Sequence, residues 1–322
     1  MEFFSAEDVS RLLSVQACIP LMEQALADLA QGEAEQPLRT MMLFGERKIF
    51  GQMPGWLKRE GVVGTKIITV VPENRDRGIS SHQGVIVLFS ADQGIPLAVV
   101  DADSVTAVRT AAVSGVATQA LAAPDARVLA ILGTGTQART HLQAMLSVGR
   151  FSRVLIWGPH RERAEACQTE MAGQTDVPVT VADSAAEAVR EADVICTVTS
   201  SQTPILFHGQ VKSGAHINAV GSSRAVDREL DGQLVAQARL YVDRRESAER
   251  EAGDFLMARD EGLVGHRHIV GELGDVLLGR IAGRSSDGEI TLFKSLGLAV
   301  EDVACAHYVY ERRMAGGDSA SH

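Results

Sequence analysis

Two groups of residues in this 322-residue sequence have the types and spacing to do chemistry. The first is Gly133-x-Gly135-x-x-Ala138, inside "VLAILGTGTQARTHLQAM" at 128–145, between a strand-like apolar run and a helical pattern. The first glycine permits a tight turn, the second lets a pyrophosphate approach the backbone, and the small Ala138 lets strand and helix pack closely. A helix starting near Gln137 points unsatisfied N–H groups at that phosphate. The motif is short, and what makes it informative is its setting after a strand and before a helix. The end of the next strand, "RVLIW", should select the nucleotide. An NAD site commonly has an acid there for the ribose hydroxyls. Here the residues are Gly158, Pro159, His160 and Arg161, with Arg163 close by. An acid would repel a 2′-phosphate and an arginine would neutralise one, so NADPH is the expected cofactor and NADH the second candidate. The alternative is that these arginines form only a solvated helix start.

The second group is three cations in apolar or small-residue strings: Arg39 in "PLRTMM", Lys66 in "VVGTKIIT" and Arg109 in "TAVRTAAVS". A buried cation is costly without a partner. Each alone could be an internal salt bridge or a snorkelled surface chain. The three together, beside "SSHQG", favour a pocket for a carboxylate. Cys18, Cys167, Cys196 and Cys305 are scattered without a CxxC pair, and the histidines lack HxxxH or HExxH spacing, so no metal site is expected. Buried thiols in a reducing cytoplasm fit that usage.

The elements that must position these residues fall into two textures. "SAED" at residue 5 gives a capping box, and apolar residues recur at helical spacing from Val9 to Leu29, ending near Gly32. After Pro37 come strand-like runs, "LRTMMLF", "KIFGQM", "VVGTKIITVV", "GVIVLFS" and "PLAVVDA", the last two joined by the turn "ADQGI". The loop "PENRDRGISSHQ" interrupts this mostly antiparallel sheet. From Ser104 to Leu121 the pattern is helical. Strand and helix segments then alternate through "RLYVD", which implies a parallel sheet with crossover helices. The tail after about Thr291 reads as helical and is expected to pack back on the N-terminal part. The fold class is α/β: a Rossmann dinucleotide-binding domain at 119–292, and a discontinuous α+β domain carrying the three cations at 1–118 plus 293–322.

Composition narrows the function classes. A net charge of −10 and 4% aromatic residues leave no electrostatic footprint for a nucleic-acid partner. No apolar run reaches the ~20 residues of a membrane span, and the N-terminus lacks a signal-peptide pattern, so a cytoplasmic protein is expected.

The segments "GQMP", "GTKIIT", "SHQG", "TAVRTAAVSGVAT", "LGTGTQA", "GAHINAVGSSR", "ELD", "YVD" and "FKSLGLAVED", in this order from about residue 37 to 303, resemble the ornithine cyclodeaminase/mu-crystallin family. The resemblance implies a Rossmann domain inserted into a discontinuous substrate domain, and a homodimer. It matches Arg39 and Arg109 to carboxylate-binding arginines, Lys66 to an active-site lysine, and His82 to a loop beside the substrate. It extends the substrate pocket to Met53, Arg224 and Leu296. It assigns to the cofactor Thr110, Gly133, Thr134, Gly135, Thr136, Gln137, Ala138, His160, Arg161, Thr197, Val198, Thr199, Val220 and Gly221, and puts Asn218 on the strand whose end faces the nicotinamide.

Two departures select a branch. Cyclodeaminases have a Glu at the position of Gly51 and an Asp at the position of Ser223; both acids are absent here. "GSSR" resembles instead the ketimine-reductase branch, with Ala225 in place of its usual Pro. Asp227 reads as a helix cap. The expected activity is NADPH-dependent reduction of cyclic ketimino acids, Δ1-pyrroline-2-carboxylate or Δ1-piperideine-2-carboxylate, to proline or pipecolate. Lys66 is expected to donate a proton or to orient the imine, its pKa lowered by the arginines, and Ser223 could bridge a water to the ring nitrogen. An alanine-type amino-acid dehydrogenase, an ornithine cyclodeaminase and a non-catalytic small-molecule binder remain as alternatives.

Overall fold

The computed structural model describes residues 1–46 and 48–317. The chain divides into two compact units, Met1–Arg109 with the segment from Gly297 onward, and Thr110–Leu296.

In the first unit, β1 (Glu2–Phe4) leads into α1 (Ala6–Leu12) and α2 (Val15–Gln31). The predicted capping box forms: the Ser5 hydroxyl accepts from the Asp8 N–H, and the Asp8 carboxylate accepts from Ser5. Gly32, at φ 81°, ends α2 in the left-handed conformation that glycine adopts without penalty. Strands β2 (Ala34–Glu35), β3 (Thr40–Leu43), β4 (Ile49–Leu57), β5 (Val62–Val70), β6 (His82–Ser90) and β7 (Pro96–Asp101) follow. They form a sheet in the order β1-β7-β6-β5-β4-β2, with β3 on β4. β2 to β7 pair antiparallel; β1, which the sequence reading left unassigned, joins β7 in parallel. The "PENRDR" stretch of the predicted loop winds into a 3-10 turn, Pro72–Arg77. The unit closes with α11 (Ala299–Gly317).

Period-two alternation gives this sheet two unlike faces. Met53, Lys66, Ile86 and Val100 face one another across four strands and are buried. This face packs on α11. On the other face, Trp56, Val63 and Phe89 form one cross-strand line and Pro54, Thr65, Val87 and Val99 the next. That second face is apolar and only half-buried, with Trp56 40% and Val63 38% exposed.

The second unit begins inside α3 (Ala102–Leu121) and runs β8 (Val128–Leu132), α4 (Thr136–Val148), β9 (Arg153–Trp157), α5 (Arg161–Ala172), β10 (Val179–Val181), α6 (Ala185–Val189), β11 (Val194–Thr197) and β12 (His216–Ala219). It continues through α7 (Gly232–Gln237), β13 (Arg239–Val242), α8 (Arg245–Glu251), α9 (Gly253–Asp260), β14 (Ile269–Glu272), α10 (Leu273–Leu277) and β15 (Thr291–Lys294). All eight strands are parallel, ordered β10-β9-β8-β11-β12-β15-β13-β14. The strand order reverses between β8 and β11, the switch point at which doubly wound sheets bind dinucleotides.

Two expectations need correction. "TLFK" at 291–294 is a buried strand between β12 and β13, whereas the sequence reading began the helical tail there. Four apolar-rich residues carry too little periodicity to separate a buried strand from a helix start. The expected boundary at 292/293 therefore cuts a strand, and the compact units divide instead after Leu296 and, at the other end, after Arg109.

Candidate active site

Unit one holds a buried cluster of four charges. Lys66 projects from the covered face of β5, and its Nζ lies 2.7 Å from Asp302 Oδ2. Arg109, on α3, donates from Nε to Asp302 Oδ1 at 3.0 Å and from Nη1 to Glu301 Oε2 at 2.9 Å. Lys66 is 2% exposed and Arg109 4%, and both acids are fully buried. Glu301 also accepts from the Leu298 N–H, which fixes it in the first turn of α11. The helix reaches this depth because β4 and β5 carry glycines beneath it. A Cβ on Gly55 would meet the Ala299 carbonyl carbon at 3.2 Å, and one on Gly64 would meet Val303 at 3.2 Å. Gly297, at φ 82°, turns the chain into α11, and a Cβ there would lie 2.5 Å from Arg109 Nη1.

Local sequence patterns predict a purely cationic pocket; Glu301 and Asp302 are absent from that expectation. Their signal was present, two acids in the apolar string "LGLAVEDVACA", and an acid there has the same need of a partner as Lys66 in "VVGTKIIT". Their presence also changes the account of Lys66. Burial is the main force lowering its pKa, Asp302 opposes it, and Arg109 adds to it; the amine settles at about 8. Burial also works against the Arg109 charge, but Asp302 and Glu301 more than restore it, so the guanidinium stays charged. An arginine has five N–H donors, and these two bonds use two of them.

The other substrate candidates are distributed. Met53 pairs with Lys66 across β4 and β5. Arg39 precedes β3 by one residue, one step beyond the Thr40–Gln52 pair and so in line with Met53. His82 opens β6 four positions before Ile86, the residue opposite Lys66, and its Nδ1 lies 3.1 Å from Ser81 Oγ. Ser223, Arg224 and Leu296 belong to the second unit. Leu296 lies in that unit's apolar core. Arg224 is held by Asp227 through two bonds, at 2.6 and 2.9 Å. Asp227 is thereby corrected: the cap of α7 is Asp231, whose carboxylate accepts from Leu234.

The second unit carries the phosphate turn. Gly133 has φ 139°, and a Cβ there would sit 2.7 Å from Val198 Cγ2. Gly135 opens onto free space, with nothing within 4 Å of its would-be Cβ. It occupies the N-cap of α4 without a capping side chain, so the helix opens at the turn with its first N–H, on Thr136, turned toward a ligand, while the Ala138 N–H closes the turn onto the Gly135 carbonyl at 3.0 Å. Gly158 lets the Thr134 methyl pack where a Cβ would be 2.6 Å away. Buried His141, its pKa pushed by burial down to about 4, is neutral: Nδ1–H donates to the Gln137 carbonyl and Nε2 accepts from Ser114. These residues fit the pyrophosphate of a dinucleotide.

Thr110 is nearly buried on α3, Thr197 closes β11, and Val198 and Thr199 follow it. Val220 and Gly221 follow β12, both donating to the Thr197 carbonyl. Asn218 is interior to β12, where it donates to Thr118 Oγ1 at 2.9 Å and supports α3. His160 is the N-cap of α5. Arg161, 58% exposed, is bound by Glu165 at 2.8 Å and by Asp183. The sequence reading left it open to a 2′-phosphate; here a phosphate would have to displace Asp183.

The family model of the ornithine cyclodeaminase/mu-crystallin family matches residues 1–317. The ketimine reductase mu-crystallin of Mus musculus is 42% identical over 319 residues, 98% of each chain. Among solved structures, the Δ1-pyrroline-2-carboxylate reductase of Thermococcus litoralis, in complex with NADH and L-proline, aligns with a TM-score of 0.96 at 34% identity over 98% of both chains. An archaeal alanine dehydrogenase dimer with bound NAD aligns at 0.94 and 32% identity, over 98% of this chain and 97% of that one.

Proposed function

The chain belongs to the ornithine cyclodeaminase/mu-crystallin family, and we propose that it is an NAD(P)H-dependent reductase of cyclic ketimino acids such as Δ1-pyrroline-2-carboxylate and Δ1-piperideine-2-carboxylate. The observation that carries this reading is the buried quartet of Lys66, Arg109, Glu301 and Asp302. It holds a guanidinium rigidly with donors left over, next to an amine poised to give up a proton near neutrality. Arg109, together with Arg39, grips the carboxylate and fixes the ring. Lys66, protonated below pH 8, holds the proton that the imine nitrogen needs to become a good electrophile. The reduced nicotinamide supplies the hydride to the C=N carbon. Ser223, half-buried after β12, is the second candidate for a hydrogen bond to the ring nitrogen.

The test is oxidation of NADPH and of NADH by purified protein with the five- and six-membered ketimines. Stoichiometric oxidation is expected, and the ratio between rings reports ring preference. Silence with both rings, alongside turnover of pyruvate with ammonia, would transfer the assignment to the alanine-dehydrogenase class, which the 0.94 structural match keeps in view.

Cofactor choice turns on Arg161. Because Asp183 and Glu165 already occupy its guanidinium, the discrimination against NADH should be modest. Arg161→Asp is expected to lower the NADPH-to-NADH ratio of kcat/KM by about tenfold, because it removes the guanidinium contact and also sets a repelling acid beside the 2′-phosphate. An unchanged ratio would remove Arg161 from the cofactor site.

The half-bare apolar face of the first sheet supports a homodimer built through it, since contiguous apolar patches of this kind mark association surfaces. The chain's four buried free cysteines suit the reducing cytoplasm.

A further inference from the structure

Glu229 lies between β12 and α7, is fully buried, and had no role in the sequence reading. Its carboxylate takes four donors. Oε1 accepts from the Thr199 N–H and the Thr199 hydroxyl, both at 2.7 Å; Oε2 accepts from the Thr197 hydroxyl and the Gly221 N–H, both at 2.8 Å. One side chain thus ties the carboxyl end of β11 to the carboxyl end of β12. Gly221 has to be glycine for this to happen, because a Cβ there would stand 2.0 Å from the Thr199 carbonyl and 2.6 Å from Glu229 Oε1.

Glu229 is itself held on both sides. Its N–H and that of Leu230 donate to Asp254 Oδ1, at 2.8 and 2.9 Å, and its carbonyl accepts from Ile205 and Leu206. Asp254 Oδ2 lies 3.0 Å from Lys294 Nζ, with both residues 2% exposed. Two of the four donors to Glu229 are backbone N–H groups, one on each oxygen, and these cannot turn away. Only a carboxylate accepts on both oxygens at once. An amide would present an NH2 to one of those N–H groups.

In a doubly wound sheet each half takes one nucleotide, and the dinucleotide lies across the switch point. Here the β8–β9 half carries the pyrophosphate turn and Arg161, so the ends of β11 and β12 fall to the nicotinamide nucleotide. We propose that Glu229 is a positioning residue for the nicotinamide half: it holds Thr197, Thr199 and Gly221 in the arrangement that receives this end of the cofactor. This rests on the reading of the second unit as a dinucleotide site.

The experiment compares binding of NAD(P)H, by its fluorescence, with binding of ADP-ribose, by calorimetry, to wild-type protein and to Glu229→Gln and Thr197→Val. ADP-ribose spans the pyrophosphate but lacks the nicotinamide. Glu229→Gln should weaken NAD(P)H by about tenfold or more, because an amide cannot accept on both sides and the tie between the two strand ends is broken. Thr197→Val removes a single hydroxyl and should act in the same direction, about threefold. ADP-ribose affinity should stay within about twofold for both variants. Equal losses for both ligands would mean general loosening and would overturn the proposal, as would unchanged NAD(P)H affinity in the two variants. If Glu229→Gln does not fold, Thr197→Val decides on the same two criteria. Failure of the wild type to bind either ligand would overturn the dinucleotide reading itself, which separates the two failures.

Discussion

Arg109→Lys is expected to lower kcat/KM for the cyclic imine by about 10²–10³-fold while NAD(P)H affinity changes by no more than about twofold. A lysine keeps the charge but not the fork. Arg109 spans two acids at once, bonding Asp302 through Nε and Glu301 through Nη1, and still has N–H groups to offer a substrate carboxylate. A single ammonium cannot hold both acids in that geometry and grip a third. Losing one or two charge-assisted bonds, each worth ~1.5–3 kcal/mol, accounts for the size of the effect. Either Glu301 or Asp302 then loses its buried partner, so a drop in melting temperature should accompany the kinetic loss. Retention of wild-type KM in a folded Arg109→Lys protein would show that the carboxylate binds elsewhere.

Asp302→Asn should produce the second-largest change, and of a different kind. Asp302 is what raises the Lys66 pKa against burial and against Arg109. Without that charge the amine gives up its proton more readily. If Lys66 is the acid, kcat/KM falls as pH rises through its pKa, in the wild type near 8. In Asp302→Asn this alkaline limb should move about 1–3 pH units lower, the usual influence of a neighbouring opposite charge. Above the new pKa each further pH unit costs about tenfold. The carboxylate grip should survive, because Arg109 stays charged and keeps its bond to Glu301, so kcat should fall more than KM rises. A pH profile superimposable on the wild type would exclude Lys66 as the proton donor.

Much of this could be read from the sequence, for reasons that differ by element. The sheet of the first unit shows clearly in runs such as "VVGTKIITVV", because strands with one covered face alternate and are closed by turn residues; β5 covers Val62–Val70. The phosphate turn was equally legible, since Gly133 answers to a backbone need that other residues meet poorly, φ 139° with a Cβ position 2.7 Å from Val198, while Gly135 leaves open space at the helix start. Hidden were features whose partners are remote in sequence. β1 has only three residues and earns its place by pairing with β7, almost a hundred positions away. β15 is recognisable only once β12 and β13 flank it. Lys66 and Arg109 could be suspected one by one, but Asp302 meets Arg109 across 193 positions, and no local pattern records that meeting. Glu229 was hidden in the same way, 30 residues from the Thr199 amide that it holds.

The quartet in the first unit is electrically balanced, two cations against two anions, in surroundings where water does not screen them. A substrate carboxylate arrives as a fifth, unmatched charge. The group best able to compensate is Lys66, whose amine is only partly protonated at pH 8. Association should therefore draw protons from solution, and a titration calorimeter would register their source as heat. Enthalpies measured at pH 8 in buffers of unlike ionisation enthalpy should lie on a line whose slope is the number of protons taken up, between zero and one per site, falling toward zero at pH 6, where Lys66 is already charged.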